Sequence, residues 1–170
     1  MISATCRVER VSFRSVNRRG LPGYDPGLQR HHILPRQLLS RRCFGRMFEA
    51  IGTNSVSFDD FRTNGMLLPA KEDTAVRFGL PLHRGPHRAY NQMVIERVGE
   101  IEGAWSRTHL DCPQRALLEA LDDLSRLQRK LRDRLYEEPG RLILNSNDPL
   151  GYGFDFTELD AMAETLYSAR

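Results

Sequence analysis

One amphipathic stretch in the C-terminal third constrains the fold of this 170-residue chain more than any other feature. Between Pro113 and Pro139, leucines recur at intervals of three and four residues, which is the period of an α-helix with one apolar face. The pattern predicts a helix from Pro113 to Glu138, with proline in its first turn and Pro139-Gly140 after its end. The stripe consists of Leu117, Leu118, Leu121, Leu124, Leu127, Leu131 and Leu135. We expect it to pack on the core of its own domain rather than to form a dimeric coiled coil.

The remaining patterns predict an α+β fold that is mainly helical and contains a few short strands. Helical spacing of apolar residues predicts helices over residues 37–51, 86–101 and 157–168. Short apolar runs, bounded by proline or by turn residues, predict strands over residues 30–35, 64–69 and 141–145. With 40% hydrophobic residues the chain can bury one core of ordinary size. We therefore expect a basic N-terminal arm over 1–29, a core over 30–105 and a helical extension over 106–170 that packs on that core.

The charges are distributed unevenly along the chain. Residues 1–50 carry ten basic and three acidic side chains, whereas residues 111–170 carry eight basic and twelve acidic ones. A basic region of this kind either meets a polyanion such as nucleic acid or is a solubilising surface.

Membrane insertion and secretion are not predicted. No run approaches 18 apolar residues, and charges from Arg7 onward leave no signal-peptide core. The three cysteines are far apart and form no CxxC pair, which favours a reducing, cytoplasmic compartment.

Four of the five histidines fall into two pairs. His31 and His32 are adjacent on a predicted strand, where neighbouring side chains point to opposite faces. His83 and His87 have HxxxH spacing, which places both rings on one face if a single helix contains them. Such a set suits phosphodiester hydrolysis, in which one imidazole binds a divalent ion and a free one takes a proton from water. A nearby amide side chain could then brace the strand that carries the base.

Three segments in this order resemble a known nuclease family. RHHILP at 30–35, NGMLLP at 64–69 and LHRGPHRAYN at 82–91 look like the AHH branch of the HNH/endonuclease VII nucleases. The resemblance implies a ββα-metal finger, made of a short β-hairpin and a helix, over about residues 30–101. The residue before the histidine pair is Arg30, where the name of the branch leads one to expect alanine.

The resemblance also implies a role for each matching residue. His32 corresponds to the general base, and Asn64 to the central asparagine that orients the base through backbone hydrogen bonds. His31 corresponds to the metal ligand on the first strand, and His87, together with His83, to the ligands on the helix side. The 18 residues between Asn64 and His83 exceed the spacing of compact fingers, so Asn91 is the alternative to His83 as a ligand.

Arginines beside these positions are candidates for phosphate contact, the alternative being ordinary solvated side chains. They are Arg36, Arg84 and Arg88. Three imidazoles favour Zn²⁺, Ni²⁺ or Mn²⁺, although cellular availability and oxygens from substrate and water could place Mg²⁺ there.

The function that the resemblance implies is a metal-dependent endonuclease that cuts DNA with little sequence specificity. The alternatives are an RNase of the same fold and a non-catalytic, metal-stabilised module that binds nucleic acid or protein. Relatives of this type commonly act as bacterial toxins, so a delivered effector without a classical signal peptide is the alternative to a cytoplasmic enzyme. The partners expected are nucleic acid, and an inhibitor protein or a second copy bound through the C-terminal helices.

Overall fold

The fold is mainly helical with one small sheet, which confirms the predicted α+β class. The computed structural model describes residues 9–137 and 141–151. The strands are β1 (Leu28–His32) and β2 (Gly65–Pro69). The α-helices in this part of the chain are α1 (Gly45–Ile51), α2 (Phe61–Asn64), α3 (Glu72–Phe78), α4 (Arg88–His109) and α5 (Pro113–Tyr136). Short 3₁₀ turns lie at Phe13–Ser15, Arg36–Ser40 and Arg42–Phe44. Not one of the helices described is both long and apolar enough to cross a bilayer.

The sheet is a two-stranded antiparallel pair in which Leu28 lies opposite Pro69 and His32 lies opposite Gly65. The first strand begins and ends earlier than the predicted 30–35. It stops at His32 because the side chain of Asn64, rather than a neighbouring strand, takes over the backbone groups of Leu34. Hydrogen bonds with the Asn64 side chain thus replace the strand-to-strand hydrogen bonds before the chain reaches Pro35.

The predicted helix over 37–51 is wrong in its first half. Arg41 has an extended backbone (φ −83°, ψ 118°), so the segment forms two 3₁₀ turns before α1 begins at Gly45. The apolar spacing predicted six inward residues in this segment. Five of them, Leu38, Phe44, Met47, Phe48 and Ile51, are buried, and Leu39 is partly buried against the core. The spacing of apolar residues predicts which side chains are buried. It does not distinguish one continuous helix from two 3₁₀ turns followed by a shorter helix.

Among the described residues, helices α4 and α5 form the largest packed pair and supply much of the hydrophobic core. Leu124, Leu127, Leu131 and Leu135 of the predicted stripe are buried there, which confirms packing on the core, whereas Leu118 is 65% exposed. Helix α4 begins two residues later than Pro86 and extends beyond Ile101 to His109. Residues 141–145 form no strand, and the helix predicted over 157–168 lies outside the described residues.

Candidate active site

Three histidines from distant parts of the sequence meet at one point. The ring centroids of His31 and His83 lie 4.9 Å apart, those of His31 and His87 5.0 Å, and those of His83 and His87 4.8 Å. Each ring offers one nitrogen such that the three nitrogens all lie within 4.8 Å of one another. The two pairs seen in the sequence are therefore brought together as a cluster of three, with His32 left outside it.

A tight loop, and not a shared helix face, aligns His83 with His87. Neither residue is in α4: His87 occupies the position just before its first residue, and His83 lies in the loop that precedes it. Gly85 between them has φ +74°, a left-handed conformation that residues with a Cβ rarely adopt. The backbone N–H of His83 donates to the carbonyl of Pro69 at 2.6 Å, which ties the loop to the end of β2.

The segment 141–151 holds this loop from its other side. The carboxylate of Asp148 is buried and accepts a 2.7 Å hydrogen bond from the backbone N–H of Leu82, next to His83. Asn145 donates to the carbonyl of Arg84, and Arg141 donates to the carbonyl of Gly79. Part of the chain with no predicted role thus fixes the backbone on both sides of His83.

The orientation of α4 is fixed by Tyr90. Its hydroxyl donates a 2.7 Å hydrogen bond to the carbonyl of Ile33, just beyond β1, and its ring packs against His31. The side chain is completely buried, as expected for a packing residue. This contact joins the first strand to the start of α4, where His87 lies.

The three histidines of the cluster have lowered pKa values, and together they could hold a metal ion. Burial, followed by repulsion from His83, His87 and His32, holds the pKa of His31 well below its usual value. Burial and repulsion from His87 lower the pKa of His83 to about 4, and burial lowers that of His87. Both ring nitrogens of His31 and the Nε2 of His83 are buried without a hydrogen-bond partner among the described residues. Unpartnered neutral imidazole nitrogens that face one another are what a divalent metal requires.

Asn91 lies one turn into α4 and lines the same cleft as the cluster. Its Oδ1 is buried and makes no hydrogen bond to the described residues, so it too could coordinate a metal. The structure therefore brings both proposed third ligands, His83 and Asn91, to one site.

His32 lies beside the cluster and is free for other chemistry. It lines a cleft of about 270 Å³ together with His31, His83 and His87. Its ring stacks on Phe13, with centroids 3.7 Å apart and planes within 5° of parallel, and its Nε2 has no hydrogen-bond partner among residues 9–137 and 141–151. Burial, with a smaller contribution from the positive charge of Arg36, lowers the pKa of His32 to about 4, so the ring is unprotonated at neutral pH.

Asn64 is completely buried below this region and clamps the backbone that follows His32. Its Oδ1 accepts from the N–H of Leu34 at 2.7 Å, and its Nδ2 donates to the carbonyls of Leu34 at 3.0 Å and Phe58 at 3.1 Å. Its own carbonyl accepts from the N–H of Ile33 at 2.9 Å. The resemblance implies that Asn64 orients the base through backbone hydrogen bonds, and its side chain bonds the backbone two residues after His32.

Gln128 of α5 completes the buried amide network. Its Nε2 donates to the Oδ1 of Asn64 and to the carbonyl of Val56, each at 3.2 Å. A glutamine in an amphipathic helix is usually a solvated surface residue, so the sequence around Gln128 gives no indication that its side chain is buried and bonded to Asn64.

Gly65 follows Asn64 and allows a close approach of α2. A Cβ on this residue would lie 2.7 Å from the backbone oxygen of Phe61 and even closer to its ring. The ring of Phe61 in turn meets that of Phe13 edge-on at 5.1 Å, and Phe13 stacks on His32. Because Gly65 has no side chain, Phe61 can occupy the position from which its ring supports Phe13, and Phe13 stacks on His32.

Two of the three arginines predicted to contact phosphate are engaged by acids. Arg36 lines the cleft and pairs with Asp59 at 3.4 Å. Arg84 pairs with Glu72 at 3.9 Å, and Arg88 is exposed in the first turn of α4. Arg30 also lines the cleft, although the sequence analysis did not propose it for phosphate contact.

Comparison with known proteins gives one match. A family model described as a nuclease family of the HNH/ENDO VII superfamily with conserved AHH matches residues 12–131. Neither the curated proteins nor the solved structures yield a match. The matched range includes β1, β2, α4, Asn64 and the four histidines that line the cleft. The chain belongs to the AHH nuclease family of the HNH/endonuclease VII superfamily.

Proposed function

We propose that this chain is a metal-dependent endonuclease that hydrolyses phosphodiester bonds in DNA with little sequence specificity. The observation that carries the proposal is the division of labour among the histidines. His31, His83 and His87 converge, and His31 and His83 carry ring nitrogens with no hydrogen-bond partner among the described residues. His32 faces the same cleft outside the cluster. A hydrolytic site needs both a ligand set and a free base, and this cleft offers both.

His31, His83 and His87 would hold the ion, and Asn91 is close enough to the cleft to add an oxygen. The bound cation would stabilise negative charge on the scissile phosphate and on the leaving oxygen. Three nitrogen ligands favour Zn²⁺, Ni²⁺ or Mn²⁺, and oxygens from water and substrate would also allow Mg²⁺.

In this proposal His32 takes the proton from the attacking water. Phe13 fixes the plane of its ring and Asn64 fixes the backbone that follows it. The negative charge of a bound phosphodiester would oppose the effect of Arg36 on the pKa of His32 and would favour the protonated ring that forms as His32 takes the proton.

Matched histidine variants test the proposal. His32→Ala should abolish plasmid nicking while leaving Mn²⁺ or Zn²⁺ affinity, measured by calorimetry, nearly unchanged. His87→Ala should weaken metal binding and lose activity with it. His109→Ala is the control, since its ring stacks on Trp105 near the far end of α4. Full nicking activity in His32→Ala, or in wild type with excess EDTA, would reject the mechanism.

An RNase of the same fold is the alternative, because contacts to the 2′-hydroxyl decide between the two polymers. Cleavage rates on DNA and RNA of one sequence distinguish them. If RNA is cleaved faster than DNA, the substrate is RNA and the proposed roles of the catalytic residues stay the same.

A further inference from the structure

A second cleft lies next to the active site and is strongly basic. It has a volume of about 550 Å³ and is lined by Arg14, Asn17, Arg18, Arg19, Tyr24 and Arg30. Four of these six side chains are arginines and none is acidic. Arg30 also lines the active-site cleft, so the two clefts share a wall.

The guanidinium groups of this cleft are available to a ligand. Within the described residues, Arg14, Arg18 and Arg19 form no ion pair, in contrast to Arg36 and Arg84. Arg30 uses one nitrogen to donate to the carbonyl of Phe13 at 2.8 Å, and its other N–H groups remain.

The nearest acid in the sequence, Asp25, is already occupied. One of its carboxylate oxygens pairs with Arg77 at 3.3 Å, and the other accepts from the N–H of Gly27 at 2.7 Å. The positive charge of the cleft is therefore left uncompensated by this neighbour.

The cleft has a fixed framework. Asn17 donates to the carbonyls of Asp25 and Leu28 and accepts from the N–H of Asp25, each at 2.8 Å. These bonds close the loop 18–24 onto the start of β1. The N–H of Phe61 donates to the carbonyl of Val11 at 2.7 Å and attaches the preceding segment to α2.

Tyr24 adds an aromatic surface to this charge. Its side chain lines the cleft and the residue is 39% exposed. Arginines that follow a phosphate backbone, combined with an exposed aromatic ring on which a base can stack, are typical of sites for single-stranded nucleic acid. A base within a duplex is covered on both faces by its neighbours and is not free to stack on a side chain.

We infer that this cleft binds an unpaired stretch of the nucleic acid next to the scissile phosphate. Arg14, Arg18 and Arg19 contact successive phosphates, and Tyr24 stacks on one base. Arg30 connects this track to the reacting phosphate in the active-site cleft. The inference rests on the proposed function and specifies its substrate as single-stranded, or locally unpaired, nucleic acid.

The test measures binding without cleavage. In the His32→Ala protein with EDTA, fluorescence anisotropy gives the Kd for a labelled single strand of about 15 nucleotides and for the duplex of the same sequence. Arg18→Ala/Arg19→Ala should weaken single-strand binding at least about fivefold and reduce the salt slope by about 0.7 for each phosphate that is no longer neutralised. Tyr24→Ala should weaken it about 5- to 150-fold, and Tyr24→Phe should retain it. The duplex should bind more weakly than the single strand and should not respond to Tyr24→Ala.

The matched control removes the same charge elsewhere. Arg107 and Arg115 lie at the other end of the α4–α5 pair, and Arg107 is about 30 Å along α4 from His87. Arg107→Ala/Arg115→Ala should leave single-strand binding within about twofold of the parent. Equal losses in both pairs, or no effect of Tyr24→Ala in a protein with unchanged thermal unfolding, would overturn the inference. A protein that binds in this way but never cleaves would contradict the proposed function alone.

Discussion

The rings of Phe13 and His32 lie parallel, with their centroids 3.7 Å apart. Phe13 lies in a 3₁₀ turn ahead of β1, and the ring of Phe61 in α2 packs edge-on against it. The proposed general base is therefore oriented by a residue that precedes the finger in the sequence.

Removal of that stacking surface should slow catalysis without loss of metal. Phe13→Leu leaves an apolar side chain but frees the His32 ring to rotate, and we expect cleavage to slow by about 10- to 100-fold. Metal affinity should stay unchanged because Phe13 is not part of the cluster formed by His31, His83 and His87. Phe13→Tyr keeps the ring and should restore the rate. A rate in Phe13→Leu equal to wild type would show that the stacking is structural only.

Asp148 should influence the proposed metal site through the backbone alone. Asp148→Asn loses one of two acceptors, for the N–H groups of Leu82 and Leu150, and so loosens the loop that carries His83. We expect metal affinity to fall up to about tenfold, measured by calorimetry. The control is Asp111→Asn, an exposed residue between α4 and α5. Identical affinities in the two variants would contradict the role of the segment 141–151.

Asn64 should be sensitive to the smallest change of chemistry. In Asn64→Asp a carboxylate oxygen faces the carbonyls of Leu34 and Phe58, to which Nδ2 donates in the wild type, and a negative charge is buried without a positive charge to pair with it. We expect the free energy of unfolding in denaturant to fall by about 3–5 kcal/mol. Asn147→Asp makes the same change at an exposed position and should cost less than about 0.5 kcal/mol. Similar values for both would mean that the amide network contributes little.

Acid should destabilise the metal-free protein through its histidines. The folded-state pKa of His83 is lowered to about 4, whereas an unfolded histidine titrates near 6.5. Below pH 6.5 the unfolded state takes up protons that the folded state does not, so stability falls with pH until about pH 4. One such group contributes at most ~1.4 kcal/mol per pH unit, and less where solvent screens the ring.

The Tm in EDTA should thus drop between pH 7 and pH 5. The drop should be smaller in His83→Gln, which removes one of these titrating rings and relieves its repulsion of His31. Carboxylates titrate equally in both proteins and cancel from the comparison. A parallel pH dependence of Tm would exclude the cluster as its source.

The third ligand can be assigned by a pair of truncations. We expect His83→Ala to weaken Zn²⁺ binding at least ~100-fold, because a neutral imidazole nitrogen is removed from the cluster. Asn91→Ala should weaken it by about tenfold or less. The reverse order in calorimetric titrations would make Asn91 the ligand and His83 its neighbour.

Patterns within short stretches of sequence predicted the helices and strands whose formation depends on neighbouring residues. The leucine period located α5 almost to the residue, and proline-bounded apolar runs located β1 and β2. The same period could not reveal the extended backbone at Arg41, because burial continues on both sides of the break.

The site was predictable where chemistry is carried by rare residue types in order. The paired histidines drew attention to His31, His32, His83 and His87, and the resemblance to the AHH nucleases added Asn64. The structure places the four histidines around one cleft and Asn64 in the clamp behind it. The roles of Phe13 and Asp148 were not predicted, because each contacts a residue far away in the sequence. Phe13 stacks on His32, and Asp148 accepts a hydrogen bond from Leu82. The residues next to Phe13 and Asp148 in the sequence give no indication of these partners.

The loop around His83 is held by hydrogen bonds with Asp148, Asn145 and Arg141. These bonds limit how far the chain can be truncated from its C-terminal side without loss of the site. The family match ends at residue 131, ahead of all three. A fragment trimmed to that limit would retain every histidine and yet leave one of them on an untethered loop, so an inactive fragment of this kind would say nothing against the chemistry of the intact chain.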